Sequence, residues 1–188
     1  PHRFKFYQIK FSQLDTILNE KVDVAIFDLG LSSIQLDDLD RGFSFKSNKK
    51  LNMTMGLNEI SALEAVNNLS EVELKLVIKI LGDEKEGSII ARNIVSHRKI
   101  KKITNTLDLV KIIEKSKKKS FSNKIHPCTK TFQALRIFVN KEITELINGI
   151  INVTKKLKPG GKIIVVSFHS IEDRIIKYFF SNFSINKS

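Results

Sequence analysis

One cysteine, no tryptophan, three prolines and no long unbroken apolar run mark what this 188-residue sequence does without. A lone Cys128 cannot close an internal disulfide, which excludes a disulfide-stapled secreted scaffold and leads us to expect a reducing, cytoplasmic setting. No run approaches the roughly 18 apolar residues that a membrane helix requires, so no membrane partner is expected. Low proline and only 8 glycines exclude collagen-like and low-complexity chains. Acids are the scarcer charge: 20 Asp and Glu stand against 32 Lys and Arg, and the resulting +12 points to a polyanionic partner, nucleic acid before membrane. The sequence opens at Pro1 and not at Met, and we expect it to be a piece of a longer protein.

What is present is an alternation of strand and helix patterns. Arg3 to Ile9 places Phe4 and Phe6 at period two, as in a strand, and "FSQLDTILNE" follows as a helix with Ser12 as N-cap. Val22, Val24, Ala25, Ile26 and Phe27 form a short apolar run of the kind that a parallel strand covered on both faces displays. From Phe43 to Cys128 the strand signal disappears. Ser61-Ala-Leu-Glu64 and Ser70-Glu-Val-Glu73 are capping boxes, Gly82 stands where a C′ glycine closes a helix, and further helices are expected over 86–97 and 106–117. A long helical pattern then runs from Phe132 to Leu157 with a bend near Asn140. "KPGG" is read as a turn into a second buried strand, Ile163 to Phe168, and Ser170 opens a last helix with Glu172 and Asp173 in its first turn.

These elements predict a doubly wound α/β sheet interrupted by a helical block, and ligands of such sheets bind at the carboxyl ends of the strands. Asp28 to Ser33 and Ser167 to Ser170 both fall at that edge. Asp28 offers a carboxylate to a ligand amine or hydroxyl, although an isolated Asp-x-Gly more often caps its own turn. Ser32, Ser33, Gln35, Asp37 and Asp38 crowd the next loop, yet no His or Cys lies close enough in sequence to complete a transition-metal set, and no metal is expected. His169 stands where a general base could line the site, or serve as a structural histidine, and no Gly-x-Ser-x-Gly elbow surrounds Ser170 to suggest a hydrolase. Met53, Met55 and Cys128 are read as packing residues. Charge is localised: 13 Lys or Arg and 3 acids lie between Lys85 and Lys130, so "RKIKK" from Arg98 and Lys117 to Lys119 are expected to contact phosphates.

"DLGLSSIQLDD", "RGFSF", "HPCTKTFQALRIFVNKEI" and "LKPGGKIIVVSFHSIEDRIIK", in this order, resemble the ribosomal RNA small subunit methyltransferase H family, also called MraW, over nearly the whole chain. The resemblance implies a class I, Rossmann-like methyltransferase sheet, incomplete here, with an inserted all-helical domain. Residues 1–42 and 129–188 would form the methyltransferase part and 43–128 a basic, RNA-contacting insertion. It further implies S-adenosylmethionine as cofactor, with Phe11, Asp28 and Gln35 matching the family's cofactor-binding positions, and methylation of the N4 amine of a cytidine in 16S rRNA, free or in the small ribosomal subunit. It names no catalytic residue. A departure from the pattern is "LNMTMG", where charged residues are usual at Asn52, Thr54 and Gly56. A non-catalytic, basic RNA-binding remnant associated with the ribosomal subunit is the alternative.

Overall fold

A computed structural model describes residues 4–56, 60–117 and 125–183 of the chain. It is a mixed α/β protein with a small parallel sheet, and it divides into two compact units, residues 1–30 with 142–188, and residues 31–141.

The first unit holds the sheet. Strand β1 (Val22–Asp28) pairs in parallel with β2 (Leu157–Val166), in a register that sets Ala25 against Ile163 and Asp28 against Val166. "KPGG" is not a turn ahead of β2 but an irregularity inside it: Val22 pairs with Leu157 and Val24 already with Lys162, so the extra residues bulge out. Lys158 on that bulge reaches the Asp23 carboxylate at 2.9 Å. Helix α7 (Glu142–Lys156) and helix α8 (Ser170–Phe183) supply Leu146, Ile150, Val153 and Ile176 to a core around Phe27 and Leu29.

Three expectations fail here. The strand expected over Arg3 to Ile9 does not form in its described part: Phe4 and Phe6 are exposed, because no strand among the described residues receives their backbone groups, and alternation alone does not make a strand. The segment after it is a 3-10 turn, Phe11–Thr16, whose N-cap is Lys10 and not Ser12, since Gln13 turns its side chain back to the Lys10 amide. Nor is β1 covered on both faces. Val24 and Ile26 are 49% and 68% exposed, and Ile164 and Val166 share that exposure on β2. An apolar run hides which face is buried, because both parities carry the same residue type.

The second unit carries helices and, among the described residues, no strand. Helix α1 (Ser33–Asp37) is followed by α2 (Ala62–Asn68), α3 (Glu71–Leu76) continuing as a π-helical segment Val77–Leu81, α4 (Gly87–Ile100), α5 (Thr106–Ser116) and α6 (Thr129–Asn140). Both capping boxes form as read: Ser61 and Ser70 accept from the amides of Glu64 and Glu73, whose carboxylates return to the serines and are held below the usual carboxylate range by those bonds. Gly82 is needed for a different reason from the one its position suggests. Its backbone is not left-handed; a Cβ there would stand 2.5 Å from the Lys130 carbonyl oxygen, and the left-handed residue is Asp83. The long helical pattern breaks into α6 and α7 at Lys141, which is left-handed, and Asn140 turns its amide into the 52–56 loop, donating to the Met53 carbonyl at 2.8 Å and accepting from the Met55 amide at 2.7 Å. Met53 is buried, as expected of a packing residue.

Cys128 is buried too, and burial, with Glu114 adding to it, pushes its thiol up to about 12. At pH 8 that leaves about one thiolate in ten thousand. The folded protein is therefore expected to resist a disulfide-exchange reagent and to react fully once urea unfolds it, which a colorimetric thiol titration reads directly.

Candidate functional site

Within the first unit, the carboxyl ends of β1 and β2 emerge side by side. The Leu29 amide donates to the Val166 carbonyl at 3.2 Å, extending the ladder one step beyond Asp28. Asp28 itself is exposed, and no hydrogen bond or ion pair engages its carboxylate among the described residues. It does not cap its own turn, the competing reading of an Asp-x-Gly. Gly30 turns the chain with φ +87°, and a Cβ there would stand 3.3 Å from Cδ2 of Phe168, so the ring approaches the glycine closely. Phe168 is otherwise 69% exposed.

Phe11 is also in this unit. Its ring meets Phe27 edge to face, with centroids 5.3 Å apart, which ties it to the carboxyl-terminal end of β1. Helix α7 fixes the turn that carries it: Glu145 accepts the Ser12 amide at 2.9 Å, and Asn152 donates to the Ser12 carbonyl at 3.0 Å. Gln35 lies in the second unit, in α1. Its side-chain oxygen accepts the Ser32 amide at 3.0 Å while Ser32 Oγ accepts the Gln35 amide, a capping box that commits the oxygen locally and leaves the NH2 end to donate. Asp38 caps the next turn through the Asp40 amide.

Sequence spacing did not bring together Glu142, His169 and Glu172, whose potential ligand atoms all lie within 4.8 Å of one another. Their sequence separation hid them; only the i, i+3 relation of His169 and Glu172 at a helix start was legible. Glu172 is buried, and its Oε2 accepts the Phe168 amide at 3.1 Å while Oε1 faces His169 Nε2 at 3.1 Å. The Glu172 amide in turn donates to His169 Nδ1 at 3.4 Å. His169 Nε2, though 3.1 Å from Oε1, is a buried nitrogen that makes no hydrogen bond among the described residues. The trio, with Glu172 buried and Glu142 and His169 half-buried, forms a strut under the strand-to-helix corner.

The basic segment is less uniform than its sequence. Arg98 donates to the Val66 and Leu69 carbonyls at the end of α2, Lys130 donates to the Asp83 carbonyl, and Lys117 pairs with buried Glu84 at 2.6 Å. Arg98 and Lys117 are thus engaged internally, at a helix end and on a buried acid, whereas Lys130 makes its bond at the surface. Lys118 and Lys119 lie outside the described residues. Lys99, Lys101, Lys102, Lys111 and Lys115 remain exposed on the second unit. No described helix is long and apolar enough to cross a membrane.

Residues 1–188 match the family model described as the MraW methylase family. A Bartonella bacilliformis protein named ribosomal RNA small subunit methyltransferase H is 45% identical over 98% of this chain and 56% of its own length. Proteins of the same name from Ehrlichia canis and Ehrlichia ruminantium are 47% and 46% identical, over 97% and 100% of this chain and 63% and 64% of theirs. The chain thus spans between about half and two thirds of the length of the curated relatives it matches.

Proposed function

The chain belongs to the MraW methylase family, and from that premise we propose that the protein carrying it uses S-adenosylmethionine to methylate the N4 amine of a cytidine in small-subunit ribosomal RNA. The observation that carries this reading is Asp28: an exposed carboxylate with no partner among the described residues, at the carboxyl end of a parallel strand, where ligands of such sheets bind. We propose a class I, Rossmann-like methyltransferase fold in which residues 1–42 and 129–188 belong to the catalytic part and 43–128 form a helical insertion.

Phe11, Asp28 and Gln35 are the proposed cofactor-binding residues. What each offers suits the cofactor's chemistry. The Asp28 carboxylate accepts from hydroxyl or ammonium groups, the Phe11 ring supplies an apolar face, and the Gln35 NH2 donates to a ring nitrogen or carboxylate. The bound cofactor would supply an electrophilic sulfonium methyl group. The work left to the protein is positional, because the cytosine amine is a poor nucleophile whose lone pair is delocalised into the ring. The base must leave its stack, and its amine must be held in line with the methyl carbon while a polar group accepts its N–H. The exposed lysines of the second unit are proposed to neutralise phosphates without reading sequence. The RNA partner proposed is 16S rRNA, free or in the small ribosomal subunit, in the cytoplasm.

The test is methyl transfer. The full protein is incubated with radiolabelled S-adenosylmethionine and small subunits or small-subunit RNA from cells lacking the enzyme, and the RNA is then digested to nucleosides. Label in N4-methylcytidine supports the reading. RNA that binds but gains no label under both conditions would sink it and favour the RNA-binding remnant.

A further inference from the structure

Phe168 is held with unusual care for a ring left in water. A Cβ added at Gly30 would stand 3.3 Å from its Cδ2, and its amide is gripped by Glu172 at 3.1 Å. Glu172 has a side chain only 3% exposed, and the side chain of His169 beside it is 9% exposed. Burying a carboxylate is costly unless its oxygens are occupied, and here Oε2 takes the Phe168 amide while Oε1 stands 3.1 Å from His169 Nε2. The residue so fixed is not a core residue. Phe168 turns a flat hydrocarbon face to solvent at the carboxyl edge, beside the strand that ends at Asp28. A phenyl face carries no hydrogen-bond code, but it complements any planar base taken out of a helix, which has lost its stacking neighbours.

We propose that Phe168 is the platform on which the target cytosine stacks once it has left the RNA helix; this rests on the functional reading above. The ring replaces the lost stacking and sets the plane of the base, and so the direction in which its amine points. Gly30 permits the ring's position because any side chain there would meet Cδ2.

The experiment uses the full protein without methyl donor and small-subunit RNA carrying pyrrolo-cytosine at the cytidine that the wild type methylates. Binding by the wild type quenches or shifts the probe's fluorescence as the base stacks. Phe168→Leu is expected to abolish that change and to weaken RNA half-saturation about tenfold or more, with an unchanged melting temperature and unchanged affinity for S-adenosylhomocysteine. Phe168→Trp is expected to restore the signal. If Phe168→Leu keeps the fluorescence change, or if its loss falls on S-adenosylhomocysteine and not on RNA, stacking on Phe168 is wrong while the methyltransferase reading stands. A wild type that methylates no RNA overturns both.

Discussion

Asp28→Ala is expected to weaken binding of S-adenosylmethionine by about tenfold to a hundredfold while leaving the fold untouched. A hydrogen bond to a charged group contributes about 1.5–3 kcal/mol, and each 1.4 kcal/mol is about tenfold in affinity. The Asp28 carboxylate is exposed and makes no hydrogen bond or ion pair among the described residues. Its removal therefore strands no buried group, and a substitution of this kind stays within about 0.5 kcal/mol in stability. Asp28→Asn sharpens the test, since it keeps a carbonyl acceptor and loses the charge. It should fall between wild type and alanine if the ligand group is a neutral hydroxyl, and near alanine if it is cationic. Isothermal titration with S-adenosylhomocysteine gives the affinities and thermal melting gives the control. Equal affinities in all three proteins would remove Asp28 from the cofactor site.

The contrast between Asp28 and its surroundings shows what kind of information the sequence held. Local rules that act over three or four residues were legible: the serine and glutamate pairs at residues 61–64 and 70–73 cap their helices as read. The parallel pairing of β1 with β2 was legible for another reason, the alternation of strand and helix patterns. Asp28 could be placed at the strand's end because an apolar run stops there. What stayed hidden depends on which residues meet across long separations. Arg98 looked like a phosphate contact because a cation in a basic run has no visible partner, yet it closes the end of α2. Gly82 looked like a helix terminator, and it is a point of close approach to the Lys130 carbonyl. The Arg3 to Ile9 pattern lacked the one ingredient that a strand cannot supply for itself, a neighbour. His169 was legible as a residue at the ligand edge, but the strut it forms with Glu172 and Glu142 was not, since one carboxylate arrives from the start of α7.

The same hidden pairing gives the largest expected stability effect. Lys117→Met is expected to destabilise the protein by about 3–5 kcal/mol, the range for leaving one member of a buried ion pair uncompensated. Glu84 is 5% exposed; its Oε1 accepts the Glu86 amide at 3.2 Å, and its Oε2 sits 2.6 Å from Lys117 Nζ. Lys117 also donates to the Pro127 carbonyl at 2.7 Å, so it ties the end of α5 to the approach of α6. Without the ammonium, a carboxylate that water barely reaches must either stay charged or take up a proton, and both cost stability. Glu84→Gln placed on top of Lys117→Met removes the stranded charge and should recover most of the loss, whereas additive losses in the double variant would show that the two side chains act separately. Urea unfolding of the four proteins closes the cycle. If the interaction is as buried as the geometry places it, the coupling should persist at high salt, where a surface pair would fade. A loss below about 1 kcal/mol, or one that salt erases, would return Lys117 to the exposed, phosphate-facing set.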